Sequence, residues 1–332
     1  MRRLPSVLAL LITSLALVVV LLGAYTRLTG SGLGCPDWPG CYGHLAVPPG
    51  VPAAPQAWTE MIHRYVAGAL LMLVAVQAWL SWREHKWREP IALVMLAVIA
   101  VQAALGMWTV TLKVWPQVVT LHLLGGLTTL GLGYLHWRRL SLTTAVLPAS
   151  KPTRRLAWLA LAALVAQIAL GGWASTNHAG AICPTLPGCV DVSWQALDFS
   201  NTLQLQQPLG PSYLSGKLSF EARAGLHMLH RLGALVLISL VTALSFTLYR
   251  QGLRRQAAAL MGVALGQGVL GAVTALYAAA LPLALAHTAG AAALVLVLAQ
   301  ASLRVQGARV GVLQPIRTAR WPSTPALMRD AP

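Results

Sequence analysis

Charged residues are scarce in this sequence, and their scarcity excludes a soluble globular protein. Only 10% of the 332 residues are charged, whereas 57% are hydrophobic. Soluble domains carry about 25% charged residues. The apolar residues form eight runs near the roughly 20-residue length that spans a bilayer, at 8–24, 66–82, 91–112, 118–136, 156–174, 226–248, 257–278 and 281–303. The composition therefore predicts an all-α membrane protein with eight transmembrane helices.

Acidic residues are the rarest charged residues. The chain has 8 Asp and Glu against 24 Lys and Arg, a formal net charge of +16. In a soluble protein such a surplus suggests nucleic-acid binding, so the position of the basic residues decides its meaning. Most of them fall between the predicted spans on one side, at 2–3, 83–88, 138–155, 250–255 and 304–329. By the positive-inside rule this predicts a plasma (inner) membrane protein with both termini cytoplasmic, in contact with lipid and without a nucleic-acid partner.

Cysteine is also rare, and no Cys-x-x-Cys motif occurs. The four cysteines form two Cys-Pro-x-x-Pro-Gly-Cys loops on the predicted outer face, with Cys35 and Cys41 in the first and Cys183 and Cys189 in the second. A Pro-Gly turn brings each pair within bonding distance, and disulfides persist outside the cytoplasm. We therefore predict the disulfides Cys35-Cys41 and Cys183-Cys189. A structural role and a redox role both stay open, and the absence of Cys-x-x-Cys favours the structural one.

The cysteine loops belong to an internal repeat. Each loop is followed by a His-Arg pair and then by a single histidine in an apolar run: His63-Arg64 and His122 in the first half, His230-Arg231 and His287 in the second. The offset is 148 residues for the first cysteines, 167 for the His-Arg pairs and 165 for the single histidines. An insertion near 193–223 accounts for the difference, and we expect it to cover a site from the outer side.

The repeat predicts the domain organisation. Each half has four spans, so both halves begin and end in the cytoplasm and have the same orientation. This predicts two four-helix bundles related by a pseudo-twofold axis along the membrane normal. The predicted boundaries are 1–140 for the N-terminal half, 141–155 for a cytoplasmic linker, 156–304 for the C-terminal half and 305–332 for a cytoplasmic tail.

Two histidines on different helices in each half are what axial ligation of one haem per half requires. Ionisable side chains are costly inside apolar spans, so four at matched positions indicate that His63 pairs with His122 and His230 with His287. We expect His63 and His230 to open their helices. The glycines expected to leave room for a macrocycle are Gly68, Gly125, Gly126, Gly233 and Gly290. The histidines without a repeat partner, expected to be solvated, are His44, His85, His136 and His178.

Charged neighbours of the first ligands suggest further roles. Arg64 and Arg231 are positioned either to bind haem propionates or to extend to the membrane interface. Glu60 precedes His63 by three residues, and His227 occupies the matching position before His230. The difference suggests chemistry at the first site and electron transfer at the second, although Glu60 would also suit a role at the start of a helix.

Several of these motifs together resemble the haem A synthase family. They are Thr26-Arg27-Leu28-Thr29-Gly30-Ser31-Gly32-Leu33, Cys35-Pro36-Asp37-Trp38, Glu60-x-x-His63-Arg64 and His227-x-x-His230-Arg231-Leu232-Gly233. The resemblance implies an oxidoreductase that converts the C8 methyl group of haem O to the formyl group of haem A for terminal oxidases.

The resemblance also implies a role for each site residue. His63 and His122 would hold the substrate haem O, and His230 and His287 would ligate a haem b cofactor. Glu60 would be the catalytic base or carbocation stabiliser. Cys35 and Cys41 match a pair linked to activity or maturation. A haem O synthase (farnesyltransferase) would be a partner, and a homo-oligomer stays open.

Three other functions compete with this one. A di-haem b-type electron-transfer cytochrome linked to quinone predicts two equivalent sites, which Glu60 and His227 contradict. A quinone-linked thiol oxidase would use the cysteine pairs but leaves the four histidines unexplained. A transporter fits the parallel repeat, but no ionisable residue remains for its substrate once the histidines are assigned to haem.

Overall fold

The computed structural model describes residues 3–85, 90–141, 150–189 and 192–305, and these ranges contain nine α-helices. They are α1 (Arg3–Leu28), α2 (Ala54–His85), α3 (Ile91–Thr111), α4 (Pro116–Ser141), α5 (Lys151–Thr176), α6 (Phe199–Thr202), α7 (Phe220–Arg250), α8 (Arg254–Leu276) and α9 (Leu281–Val305). All except α6 are long and apolar enough to cross a membrane. The prediction of an all-α protein with eight transmembrane helices is confirmed.

Two helices begin well before the apolar runs that predicted them. In α2, Pro55 lies in the first turn, where its missing N–H costs no hydrogen bond. In α7, the Ser219 side chain accepts a hydrogen bond from the N–H of Ala222 and caps the helix. From both starts the helix continues without a break to the first ligand histidine. The expectation that His63 and His230 open their helices is therefore wrong, since each lies more than two turns inside.

The long helices pack as two similar rings. In the first half, α1 and α3 each contact both α2 and α4, and in the second half α5 and α8 each contact both α7 and α9. The halves meet where α4 contacts α5 and α9 and where α1 contacts α9. The repeat relates α1 to α5, α2 to α7, α3 to α8 and α4 to α9. When each helix is exchanged with its counterpart, the set of contacting pairs stays the same. The predicted pseudo-twofold relation requires such a pattern.

Each ring closes around its own apolar core. Ile12, Leu130 and Met95 are fully buried in the first half, and Leu244 and Leu298 in the second. Ala292 of α9 belongs to the core of the first half, so the two cores adjoin at the junction. The domain boundaries stay predictions, because most of the linker (141–155) and nearly all of the tail (305–332) lie outside the described residues.

The inserted segment of the second half lies on the first half. Its residues 203–214, here called the strap, contact the turn between α3 and α4. Lys113 Nζ donates to the carbonyl of Gly210 (3.1 Å), Trp115 Nε1 to that of Gln207 (3.2 Å) and Gln117 Nε2 to that of Leu205 (2.8 Å). The side chain of Gln207 also donates to Asn177 Oδ1 at the end of α5 (3.3 Å). The strap thus joins the two halves at the end of the bundle that carries the cysteine loops, here called the disulfide end.

Candidate metal centres

Each half brings its two predicted ligand histidines together. The ring centroids of His63 on α2 and His122 on α4 are 6.5 Å apart, with an interplanar angle of 82°. Those of His230 on α7 and His287 on α9 are also 6.5 Å apart, at 76°. Two imidazoles that bind one metal ion, each through a bond of about 2 Å, have centroids about 6 Å apart. Both pairs therefore have the separation that bis-histidine ligation requires.

The donor set favours haem over a bare metal ion. A zinc site takes three or four protein ligands, and the described residues contain no group of three or more His, Cys, Asp or Glu side chains that could hold a metal ion. Haem iron has four ring nitrogens of its own and needs only one or two side chains. All four histidines are only partly buried as residues, so none is enclosed in the apolar core. Two histidines on facing helices therefore fit a haem.

The ring of every predicted ligand packs against a glycine on a neighbouring helix. A Cβ added to the glycine would lie 3.0–3.4 Å from Cε1 of the ring, in the pairs Gly23–His63, Gly106–His122, Gly171–His230 and Gly271–His287. Such a contact is tighter than a side chain normally allows, so glycine lets the helix approach the imidazole. These four glycines are not among the residues predicted from the sequence. A signal was present, because the glycines repeat at the same offsets, 148 and 165 residues, as the cysteines and the single histidines.

Glutamine side chains lie against three of the glycines that were expected to leave room for a macrocycle. A Cβ on Gly125 would lie 1.7 Å from Gln102 Nε2, and one on Gly290 would lie 2.1 Å from Gln267 Oε1. One on Gly233 would lie 2.3 Å from Gln167 Oε1. The expectation that these three glycines leave open space is wrong, since each accommodates an amide. Beside Gly68 no atom lies within 4 Å.

One of these amides, that of Gln167, distinguishes the two centres. Gln167 Nε2 lies 3.1 Å from His230 Nδ1 and donates to the main-chain carbonyl of His230 at 2.9 Å. At the repeat positions of Gln167 and Gly233, the first half has Val19 and Val66. There, Nδ1 of His63 is buried without a hydrogen-bond partner among the described residues. The second centre therefore has an amide that orients its ligand, and the first centre has none at that position.

Arg64 and Arg231 bind the cysteine loops. Arg64 Nη1 donates to the carbonyls of Asp37, Pro39 and Gly40. Arg231 Nη1 donates in the same way to those of Thr185, Pro187 and Gly188. Both predicted disulfides form, each with a Cα–Cα distance of 4.8 Å. The arginines thus attach each disulfide loop to a ligand helix, and their predicted contact with propionates stays a prediction.

Glu60 joins the first loop to α2, the helix that carries His63. The side chain is only 4% exposed; Oε1 pairs with Arg64, and Oε2 accepts from the N–H of Cys35 at 2.9 Å. In the second half His227 is also buried, and its Nδ1 has no hydrogen-bond partner among the described residues. Glu60 and His227, which occupy matching positions in the sequence, therefore also differ in their hydrogen bonds.

Asp37 stabilises the far side of the first disulfide loop. Its carboxylate oxygens accept from the N–H groups of Tyr42 and Gly43, both at 2.7 Å. The hydrogen bond from Gly43 is the largest cause that holds the pKa of Asp37 below its ordinary value, and the bond from Tyr42 acts in the same direction. Because the folded loop favours the charged form, the carboxylate stabilises it above the ordinary pKa of Asp and less so in acid.

One of the four histidines that were expected to be solvated is buried. His136 is 1% exposed, and its Nε2 lies 2.7 Å from Gln77 Nε2 on α2. The prediction that His136 is solvated is wrong, because α4 continues past it to Ser141 and its ring lies inside the bundle. His44 is exposed as expected. His178 is also exposed, although its Nε2 donates to the carbonyl of Leu214 at 2.8 Å. The side chain of His85 lies outside the described residues.

These features define a class of protein: a membrane protein whose described residues form eight long apolar helices, with one pair of facing histidines in each half. The chain belongs to the COX15-CtaA family, described as cytochrome oxidase assembly protein, whose model matches residues 6–299.

Curated relatives of the chain include several haem A synthases. The protein from Shewanella oneidensis is 38% identical over 300 residues, which cover 85% of this chain and 91% of the relative. The protein from Brucella anthropi is 27% identical over 314 residues, covering 82% and 83%. The protein from Shouchella clausii is 37% identical over a shorter stretch of 116 residues, covering 33% and 38%. The first two matches extend over both halves.

Proposed function

We propose that this protein is a haem A synthase, an oxidoreductase that oxidises the C8 methyl group of haem O to a formyl group. The observation that carries the proposal is the pair of bis-histidine centres, which have equal ring separations but different neighbours. Two equal centres would suit an electron carrier, whereas Glu60 beside one and His227 beside the other suit a division of work. The family and the curated relatives support the same function.

The two centres are assigned different haems in this proposal. His63 and His122 hold haem O, and His230 and His287 hold a haem b cofactor. The Gln167 amide supports this division, because an oriented ligand suits a permanent cofactor and a ligand without such a partner suits a haem that must enter and leave. A bound haem supplies the redox chemistry. The chain contributes ligation, orientation within the apolar bundle and, through Glu60, a proton acceptor.

The topology proposed from the sequence completes this function. The disulfide end lies outside the plasma (inner) membrane, and both termini lie in the cytoplasm, as the basic segments predict. The substrate is apolar enough to pass between lipid and protein, so a haem O synthase in the same membrane is the proposed supplier. A homo-oligomer is compatible with this arrangement.

The direct test is haem extraction from the purified protein, expressed with and without a haem O synthase. Acid-acetone extracts are separated by chromatography and identified by mass spectrometry. We expect haem b alone without the synthase, and haem A together with haem b when haem O is supplied. Haem b at both centres regardless of haem O supply would instead indicate a di-haem electron carrier.

The Gln167 amide predicts unequal retention of haem. In the Gln167→Val/Gly233→Val variant, which copies the first half, transfer of haem b from the second centre to excess apomyoglobin should be about 10-fold faster or more. The reciprocal Val19→Gln/Val66→Gly variant is the matched control and should slow the loss of haem from the first centre. Absorbance of the apomyoglobin acceptor measures both rates. Unchanged rates in both variants would show that the amide does not decide retention.

A further inference from the structure

Arg27 connects α1 of the first half to the second half. Its Nη2 donates to the main-chain carbonyl of Ser175, in the last turn of α5, and lies 3.2 Å from Nε2 of His178. The same His178 nitrogen lies 2.8 Å from the carbonyl of Leu214 in the strap. Arg27 occupies the repeat position of Ser175 itself, so the second half has no equivalent cation. The guanidinium is therefore a single feature at the junction of the halves.

The guanidinium of Arg27 has no acidic partner among the described residues. Among the described residues, the ion pair that forms is between Glu60 and Arg64. Arg64 and Arg231 direct Nη1 at three loop carbonyls each, whereas no described residue forms a hydrogen bond with Nη1 or Nε of Arg27. A partly buried cation without a counter-charge is costly, and two of its donor nitrogens stay available. Arg27 thus leaves more of its donors unused by the protein itself than Arg64 and Arg231 do.

Arg223 adds a second unpaired cation at the same place. It lies in the first turn of α7, and its Nε is buried without a hydrogen-bond partner among the residues that the structure describes. The segment that leads into α7 packs against His178, since a Cβ added to Gly216 would lie 3.3 Å from Cδ2 of that ring. Partial desolvation, and then the charges of Arg27 and Arg223, lower the pKa of His178. The two guanidinium groups lie near one imidazole, whose Nε2–H is donated to Leu214, and no described carboxylate balances their charge. Such a group of donors fits an anion.

These donors lie outward of the second centre. Ser175 follows Gly171 by four residues, so it lies on the same face of α5, one turn nearer the disulfide end. Arg223 precedes His230 by seven residues, two turns along the same face of α7, or about 10 Å at 1.5 Å per residue. Gly171 packs against the His230 ring. The donors therefore lie nearer the disulfide end than His230 does. A carboxylate at the edge of a haem bound to His230 would be within their reach.

We propose that Arg27, with Arg223, binds the propionate carboxylates of the haem held by His230 and His287. The first half thereby contributes a residue to the centre of the second half. The inference rests on the proposed function only in taking a haem as the occupant of that centre, and it does not require that haem A be formed. Arg27 is a positioning residue in this scheme and takes no part in oxidation.

The test compares haem b with its dimethyl ester, which lacks the two charges. Full-length protein carrying His63→Ala and His122→Ala is produced in haem-limited cells, so that only the second centre binds, and is titrated with each haem by optical absorbance. Adding Arg27→Gln should weaken haem b binding about 10- to 100-fold and leave the affinity for the ester unchanged. Arg27→Lys should recover part of the loss. Arg83→Gln, which removes an exposed charge on α2, is the control and should change neither affinity.

Other results would overturn the proposal. An equal loss of affinity for haem b and for the ester would show that Arg27 only holds the halves together. No loss for either would show that the guanidinium does not contact the carboxylates. If Arg27→Gln prevents folding, Arg223→Gln gives the same comparison on the other side of the cluster. A loss of affinity found only when the second pair is replaced (His230→Ala/His287→Ala) would place the contact at the first centre. Haem A formation is not measured here, so failure of the proposed function would not be confused with failure of this one.

Discussion

Replacing His230 with alanine should remove haem b from the second centre and abolish haem A formation, whereas replacing His63 should abolish haem A formation alone. The reason is the division of the four ligands between two separate pairs, each with ring centroids 6.5 Å apart. Loss of one imidazole leaves a single ligand, and the other pair lies in a different ring of helices. We expect product below detection in both variants but resident haem b in the His63→Ala variant only.

The measurement is a pyridine haemochrome spectrum of the purified variant, with haem extraction after co-expression of a haem O synthase. His44→Ala is the control, because His44 is an exposed loop residue and its loss should change neither reading. His136→Gln tests a buried histidine that the proposal does not make a ligand. Resident haem b at wild-type level in the His230→Ala variant would contradict the assignment of the second centre.

Replacing Glu60 with alanine should leave haem b bound and stop haem A formation. Two effects contribute, because the carboxylate is the proposed proton acceptor and also the partner of Arg64 and of the Cys35 N–H. General-base catalysis contributes about 10²- to 10⁴-fold to rate, so the loss of product should be at least of that order. The alanine variant also leaves the buried Arg64 guanidinium without its counter-charge.

The Glu60→Gln variant separates the two effects. Glutamine still offers an oxygen to Arg64 or to the Cys35 N–H, but it does not accept a proton. Loss of haem A with an unchanged melting temperature would support the proton role. Normal haem A output from Glu60→Gln together with inactivity of Glu60→Ala would show instead that Glu60 acts by holding the disulfide loop. Both variants are scored by extracted haem A per resident haem b, which corrects for expression.

The repeat could be recognised from the sequence because it depends on spacing alone. Apolar runs of membrane-spanning length define the eight helices without reference to their packing. The matched offsets relate His63 to His230 and His122 to His287, and the presence of two such histidines in each half then pairs His63 with His122 and His230 with His287. Glycine contacts were harder to predict, because a small residue gives no sign of which ring it faces until two helices are packed together.

Hydrogen-bond partners were the least predictable part of the site. The residues around Arg64 and Arg231 would be the same whether the arginine bound a propionate or a loop carbonyl. Only the path of the cysteine loop decides which of these two groups is nearer. His136 looked exposed because the apolar run ended there, yet α4 continues for another turn and keeps the ring inside. In each case the partner comes from a segment distant in sequence, where neither periodicity nor composition carries information.

The strap has a consequence for the order in which the protein is made. The first half is synthesised first, but the turn before the helix that carries His122 finds its partners at Leu205, Gln207 and Gly210 only after the chain has been extended through the insertion. A ribosome must therefore add almost one hundred residues after that turn before its contacts can close. In a newly inserted chain, the turn that precedes the His122 helix therefore stays without these partners until synthesis of the second half has passed the insertion.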